Sequence, residues 1–120
     1  MKTYLIKDPI YNALYKVYIG DDCQQMVDKS GVRTDKPFWG VVGEVDGNLA
    51  ICFLRDELPI SINVIAHEAY HGMYFLFSSL NIAIDTEEHE HVAFYVGWLT
   101  EQLWNIALKY ERIRETSTTE

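Results

Sequence analysis

Two histidines and a glutamate stand close together in the stretch NVIAHEAYHG, residues 63–72. His67 and His71 are four positions apart, and residues at this spacing lie on one face of an α-helix. Each ring can therefore direct a nitrogen toward one point, at a separation suited to zinc–nitrogen bonds of ~2.0–2.1 Å. Glu68 is rotated from His67 by about 100° around the helix. That position suits a general base, which must reach a water molecule without binding the metal.

The same pattern has an ordinary structural explanation, because a histidine on an apolar helix face is often a hydrogen-bonded core residue. HExxH patterns also occur by chance. Apolar residues occur on all sides of the segment from about Ser61 to Leu80, which predicts a buried helix. Burying a glutamate and two imidazoles is unfavourable unless they are paired or hold a metal. We therefore expect Zn²⁺ at His67 and His71.

The choice of a third ligand depends on the second long helix that the sequence predicts. A catalytic zinc needs three protein ligands and an open position for water. Glu90 follows His71 after eighteen residues, and an αα-hairpin would return it beside the first helix. Ala93 and Gly97 continue the face of Glu90 with small side chains, which would let the two helices approach closely. Glu87, one turn earlier, shares this face and is the competing ligand.

The spacing HExxH-x18-E resembles the gluzincin branch of the zincin metallopeptidases, and EHVAFY is similar to the sequence around the third ligand of zinc aminopeptidases. Over residues 40–108 the chain is also similar to small HExxH proteins encoded by phages and prophages. The resemblance implies a minimal zincin-like fold with Zn²⁺ held by His67, His71 and Glu90. It also implies that Glu68 activates a zinc-bound water for peptide-bond hydrolysis.

The chain departs from larger gluzincins in the region that follows Glu90. Only thirty residues remain there, whereas larger members carry a C-terminal region that closes the cleft and stabilises the oxyanion. Phe94 occupies a position where one subgroup has an aspartate. Tyr70, Tyr95 and Tyr110 are candidates for the missing hydroxyl, and the spacing selects none of them.

These departures motivate a second hypothesis, a zinc-binding phage-type interaction protein that acts on a host or phage partner without catalysis. A closed site, with His89, His91 or another carboxylate as a fourth ligand, would favour it. A third hypothesis is a metal-free helical core.

The whole sequence predicts an α+β fold, in which a small antiparallel or mixed β-sheet packs on two long helices. Residues 1–114 form a single zincin-like domain in this interpretation, and residues 115–120 form a flexible polar tail. Asp46-Gly47 is a strong hairpin signal between two β-rich segments. The predicted elements are a strand at 11–19, a short helix at 21–31, a hairpin of 38–45 and 48–54, and helices at 61–80 and 87–114.

Composition limits the partners. The formal net charge of −8 argues against a nucleic-acid surface, and no apolar run is long enough for a membrane span or a signal peptide. Two cysteines are too few for a disulfide framework, so a cytoplasmic location is expected.

We expect a peptide or protein substrate, docked by strand addition along residues 48–54 unless these form an ordinary half-buried strand. The sequence leaves open whether a homodimer completes the cleft.

Overall fold

A computed structural model describes residues 1–118 as a four-stranded sheet with helices on both faces, which confirms the α+β class. The strands are β1 (Lys2–Lys7), β2 (Leu14–Gly20), β3 (Gly40–Val45) and β4 (Asn48–Leu54). The helices are α1 (Cys23–Ser30), α2 (Ile62–Ser79) and α3 (Glu90–Thr118). Among the helices of the described chain, none is both long and apolar enough to cross a membrane.

The sheet is mixed, and its strands run in the order β1-β2-β4-β3. β2 and β4 are parallel, whereas β1 pairs antiparallel with β2 and β3 pairs antiparallel with β4. The predicted hairpin is confirmed: Asp46 and Gly47 have φ values of 52° and 82°, and two residues with positive φ are what a type I′ turn requires. The sequence prediction missed β1 and began β2 three residues early.

Alternating side chains of the sheet belong to two hydrophobic cores. Ile51 of β4 packs into the larger core under α2 and α3, and its neighbour Cys52 packs into the smaller core with Met26 of α1. The two long helices therefore cover one face of the sheet and the short helix covers the other.

α2 begins and ends close to the predicted limits. The Ser61 hydroxyl accepts a hydrogen bond from the Val64 amide at 3.2 Å and caps the first turn. Only one face of α2 is buried, through residues such as Ile65, Ala69 and Met73, while Tyr70 and Tyr74 are about half exposed. The expectation of a helix buried on all sides is therefore wrong.

α3 differs more from its prediction. It begins at Glu90, three residues later than predicted, and it continues to Thr118. Residues 81–89, which precede it, form an irregular connection. The predicted tail, residues 115–120, thus overlaps the end of α3, and residues 119–120 lie outside the described residues.

The contact between the two long helices is made by a different face of α3 from the predicted one. A Cβ added to Gly72 of α2 would lie 3.0 Å from Leu99 Cδ2, so the two helices pack closely there. The prediction that Ala93 and Gly97 make this contact is wrong. Both are exposed, and a Cβ on Gly97 would meet no atom of the described chain within 4 Å. The buried residues of α3 include Tyr95, Leu99 and Leu103 instead.

Candidate functional site

His67, Glu68 and His71 form a compact group on α2. The two Nε2 atoms are 3.1 Å apart, and His67 Nε2 lies 3.8 Å from Glu68 Oε1. One ligand atom of each residue lies within 4.8 Å of the others. The histidines are exposed, with 64% of the His67 side chain open to solvent, so an ion or a substrate can approach them from outside.

Glu68, in contrast, is buried, with only 4% of its surface exposed. Its Cγ packs against Gly40 at the start of β3, where an added Cβ would lie 2.6 Å from it. Gly40 therefore leaves the space that the glutamate side chain occupies. Glu68 Oε2 is buried and has no hydrogen-bond partner among the described residues. An unpaired buried carboxylate oxygen is unfavourable and commonly marks a place where water or an ion belongs.

The environment shifts the pKa of two members of the group, Glu68 and His71. Burial raises the pKa of Glu68 above its ordinary value, and nearby His67 partly opposes this shift. Burial, followed by the charge of His67, lowers the pKa of His71. The lowered pKa of His71 favours the neutral imidazole, which is the form that binds metals.

The two imidazoles fit two of the ligands of a zinc ion. Two nitrogens bound tetrahedrally at ~2.0–2.1 Å are separated by about 3.3 Å, which is close to the 3.1 Å between His67 Nε2 and His71 Nε2. The Glu68 carboxylate, whose Oε1 lies 3.8 Å from His67 Nε2, supplies an acidic neighbour. The same 3.1 Å also allows a hydrogen bond between the two rings, and these residues could supply part of a metal site.

Glu90 is not brought to this group, although the sequence predicted it as the third ligand. Phe77, near the end of α2, contacts the rings of His91 and Tyr95, so the start of α3 lies at the far end of α2 from His67. Leu99 of α3 packs on Gly72 of α2. Glu90 lies nine residues before Leu99, which is about 13.5 Å along the axis of α3. Within residues 1–118, the group that could hold a metal therefore contains only the three α2 residues.

The other candidate ligands near Glu90 are also far from the α2 group. Residues 87–91 line a separate surface depression. The His91 ring stacks on Phe77 with centroids 5.8 Å apart, and its Nε2 lies 3.2 Å from the Ala83 carbonyl oxygen, so its position has a structural explanation. His89, Glu87 and Glu88 are exposed.

The structure separates the three tyrosines that were candidates for an oxyanion-stabilising hydroxyl. Tyr95 donates a hydrogen bond to buried Asp8 at 2.9 Å and shares another with the Tyr15 hydroxyl. Tyr110 is partly buried against the main core. The exposed Tyr70 ring lies 6.3 Å from the His71 ring, so it is the member of the three beside the histidines.

Two adjoining pockets complete the site, and sequence reasoning missed their walls. One, of about 250 Å³, contains His67 and Glu68 and is otherwise lined by Trp39, Gly40, Asn63 and Val64. The other has a similar volume and shares Trp39 and Val64 with the first. Trp39-Gly40, near the start of the predicted strand 38–45, was the available signal, since the glycine allows close approach of another element.

The predicted docking strand is wrong. Residues 48–54 form β4, which is paired with β2 on one side and with β3 on the other, so it cannot accept an added strand. β3 pairs with β4 alone within the described part of the chain, and its first residue contacts Glu68. An extended peptide could pair with this open edge.

Comparison with known proteins gave no relative: no family model, no curated protein and no solved structure matches the chain.

Proposed function

We propose that this protein is a zinc-dependent hydrolase that acts on peptide bonds. The observation that supports this best is the geometry on α2, where two imidazole nitrogens 3.1 Å apart lie beside a buried carboxylate that has an unpartnered oxygen. His67 and His71 would supply two of the three protein ligands that a catalytic zinc needs. Glu90 is not part of the proposed site, because its helix starts at the distant end of α2.

The proposed reaction divides the work between the metal and Glu68. When bound, zinc supplies a Lewis acid that polarises the scissile carbonyl and lowers the pKa of water. Glu68 accepts a proton from the attacking water while the oxygen of that water bonds to the carbonyl carbon. Glu68 then returns a proton to the leaving amine as the carbon–nitrogen bond breaks. Its place in a pocket of about 250 Å³ beside His67 provides room for the carbonyl group and the water.

The unpaired edge of β3 supports a peptide as the substrate. A peptide paired with β3 would pass the Glu68 pocket, because Gly40 begins the strand and also contacts Glu68. Main-chain hydrogen bonds would hold the peptide extended, which suits cleavage of unfolded or flexible segments.

One observation favours a second function, metal-dependent binding without catalysis. All three members of the site come from one helix, and no other element of the described chain adds a ligand to them. A protein partner that supplies a further ligand would complete such a site.

We also infer a reducing compartment such as the cytoplasm, since Cys23 and Cys52 are both free thiols.

Glu68→Gln separates the two functions, because it keeps the shape of the side chain and removes the base. We expect zinc content to stay near the wild-type value and hydrolysis of a mixed peptide library, followed by mass spectrometry, to fall by about 100-fold or more. Glu101→Gln, on the exposed face of α3, is the control and should match the wild type. Cleavage by Glu68→Gln at the wild-type rate would exclude Glu68 as the general base, and cleavage by neither protein would favour the binding function.

A further inference from the structure

The apolar pocket next to the Glu68 pocket has no part in holding the metal or moving the proton. It lies between the start of β3 and the N-terminal end of α2, and its lining includes Trp39, Leu58, Ile60 and Val64. Trp39 is 61% exposed and Leu58 is 73% exposed, although both are large apolar side chains. Exposed apolar residues gathered around a cavity commonly mark a binding site.

The position of this pocket relates it to the catalytic group. Trp39 and Val64 line both pockets, so the two cavities adjoin. Val64 and Glu68 are one helical turn apart, a distance of about 6 Å. Side chains on the same face of an extended peptide repeat every ~6.8 Å. A side chain in the apolar pocket would therefore belong to a residue within about two positions of the scissile bond.

The size of the pocket indicates what it accepts. Its volume is about 250 Å³, whereas an apolar cavity of about 150 Å³ is enough to bind benzene. Its lining residues Trp39, Leu54, Leu58, Pro59, Ile60 and Val64 carry no charge, and Ser61 uses its hydroxyl to cap α2. A charged side chain would lose its hydration there without gaining a partner.

We propose that this pocket selects substrates with a large apolar or aromatic side chain near the cleaved bond. The inference rests on the proposed peptide hydrolase and adds its specificity. The occupant is an extended peptide paired with β3, whose apolar side chain contacts Trp39 and Leu58.

The test uses capped alanine-based peptides that carry one Phe, Leu or Glu at each position in turn. Zinc-loaded wild type is assayed for cleavage by mass spectrometry, and zinc-loaded Glu68→Gln is assayed for binding by calorimetry. We expect Phe and Leu peptides to be cleaved and bound about 10- to 100-fold better than Ala or Glu peptides, since a buried apolar side chain contributes that much.

Two variants test whether the pocket causes this preference. Trp39→Ala and Leu58→Ala should each reduce the preference for Phe over Ala by about 5-fold or more, and Trp39→Phe should restore most of it. Both side chains are mostly exposed, so the variants should still fold. Leu5→Ala, at the opposite edge of the sheet, is the matched control.

The two proposals fail in different ways. Cleavage without preference among Phe, Ala and Glu peptides, or a preference unchanged in Trp39→Ala, would overturn the pocket and leave the hydrolase. Binding of Phe peptides that depends on Trp39, without cleavage by the wild type, would support the pocket and overturn the hydrolase. Equal binding of Phe and Ala peptides would overturn the pocket whatever the cleavage result.

Discussion

At the scale of single residues, the site combines two exposed imidazoles with a carboxylate that is almost fully buried. Sequence spacing predicted the pair of histidines, because residues four apart share a helix face. The spacing did not predict that Glu68 is buried while both histidines are exposed. Glu68 is buried against β3, and HExxH spacing contains no information on which strand packs beside the helix. The buried position of Glu68 comes from Gly40, which lies 27 residues away from the first histidine and leaves room for the carboxylate.

The ligand assignment gives a prediction at this scale. His71→Ala should weaken zinc binding by about 100-fold or more, because it removes one of two imidazole ligands, whereas Glu90→Ala should change the zinc affinity by less than about 3-fold. A competition titration with a chromogenic zinc chelator measures both affinities. If Glu90→Ala loses the metal, α3 must pack differently and the gluzincin ligand set regains support.

At the scale of elements, β3 and α2 form the site together, and they are in close contact at Gly40. Gly40→Ala would place a Cβ 2.6 Å from Glu68 Cγ and 3.1 Å from Val64 Cγ1. We expect a loss of about 1–3 kcal/mol in the free energy of unfolding, because the helix or the glutamate must shift. Urea denaturation measures this loss, and an unchanged stability would mean that Glu68 does not pack on β3.

Gly97→Ala is the matched control and a prediction of its own. Gly97 lies inside α3 with open space around its Cβ position, so alanine should raise the free energy of unfolding by up to about 1 kcal/mol. The helix contact predicted from sequence would instead make the same substitution destabilising. A fall in the midpoint of urea denaturation would therefore contradict the observed packing of α3.

The ion pair between Arg55 and Glu111 joins the end of β4 to α3. Arg55 is buried, and its guanidinium donates two hydrogen bonds to the Glu111 carboxylate, which lower the pKa of Glu111. Because this pKa is lower in the folded chain, the stability that the pair contributes is present above the unfolded pKa of about 4.3. It is lost as the pH falls through the lower folded value.

Glu111→Gln tests this pair. It removes the charge that accepts two hydrogen bonds from the Arg55 guanidinium, so we expect a loss of about 1–3 kcal/mol at pH 7. The loss should shrink at low pH, where Glu111 of the wild type is itself protonated. Urea denaturation at several pH values measures it, with Glu88→Gln as an exposed control. An equal loss at every pH would show that the carboxylate charge does not contribute.

At the scale of the whole molecule, the sequence predicted the elements better than their arrangement. The Asp46-Gly47 turn is a local signal, and it holds in the structure. The order of strands is not local: β4 is interior because β2 pairs with it in parallel, a contact between residues more than 30 positions apart. That arrangement moved the expected docking edge from residues 48–54 to β3.

The packing of α3 was also beyond local patterns. Glu90, Ala93 and Gly97 do share one helix face, as predicted, but that face is exposed and the apolar residues Tyr95, Leu99 and Leu103 pack on the core instead. Hydrophobic burial decided the orientation of the helix. The x18 spacing alone therefore did not bring a third ligand to the histidines.

The proposed metal site is tested most directly by the zinc content of the purified protein after equilibrium dialysis against zinc, determined by elemental mass spectrometry. We predict one zinc per wild-type chain and none above background for the double variant His67→Ala/His71→Ala. Chelation should also lower the melting temperature of the wild type, since a ligand that binds only the native state stabilises it. Absence of zinc from the wild type, or equal zinc in both proteins, would contradict the proposed site.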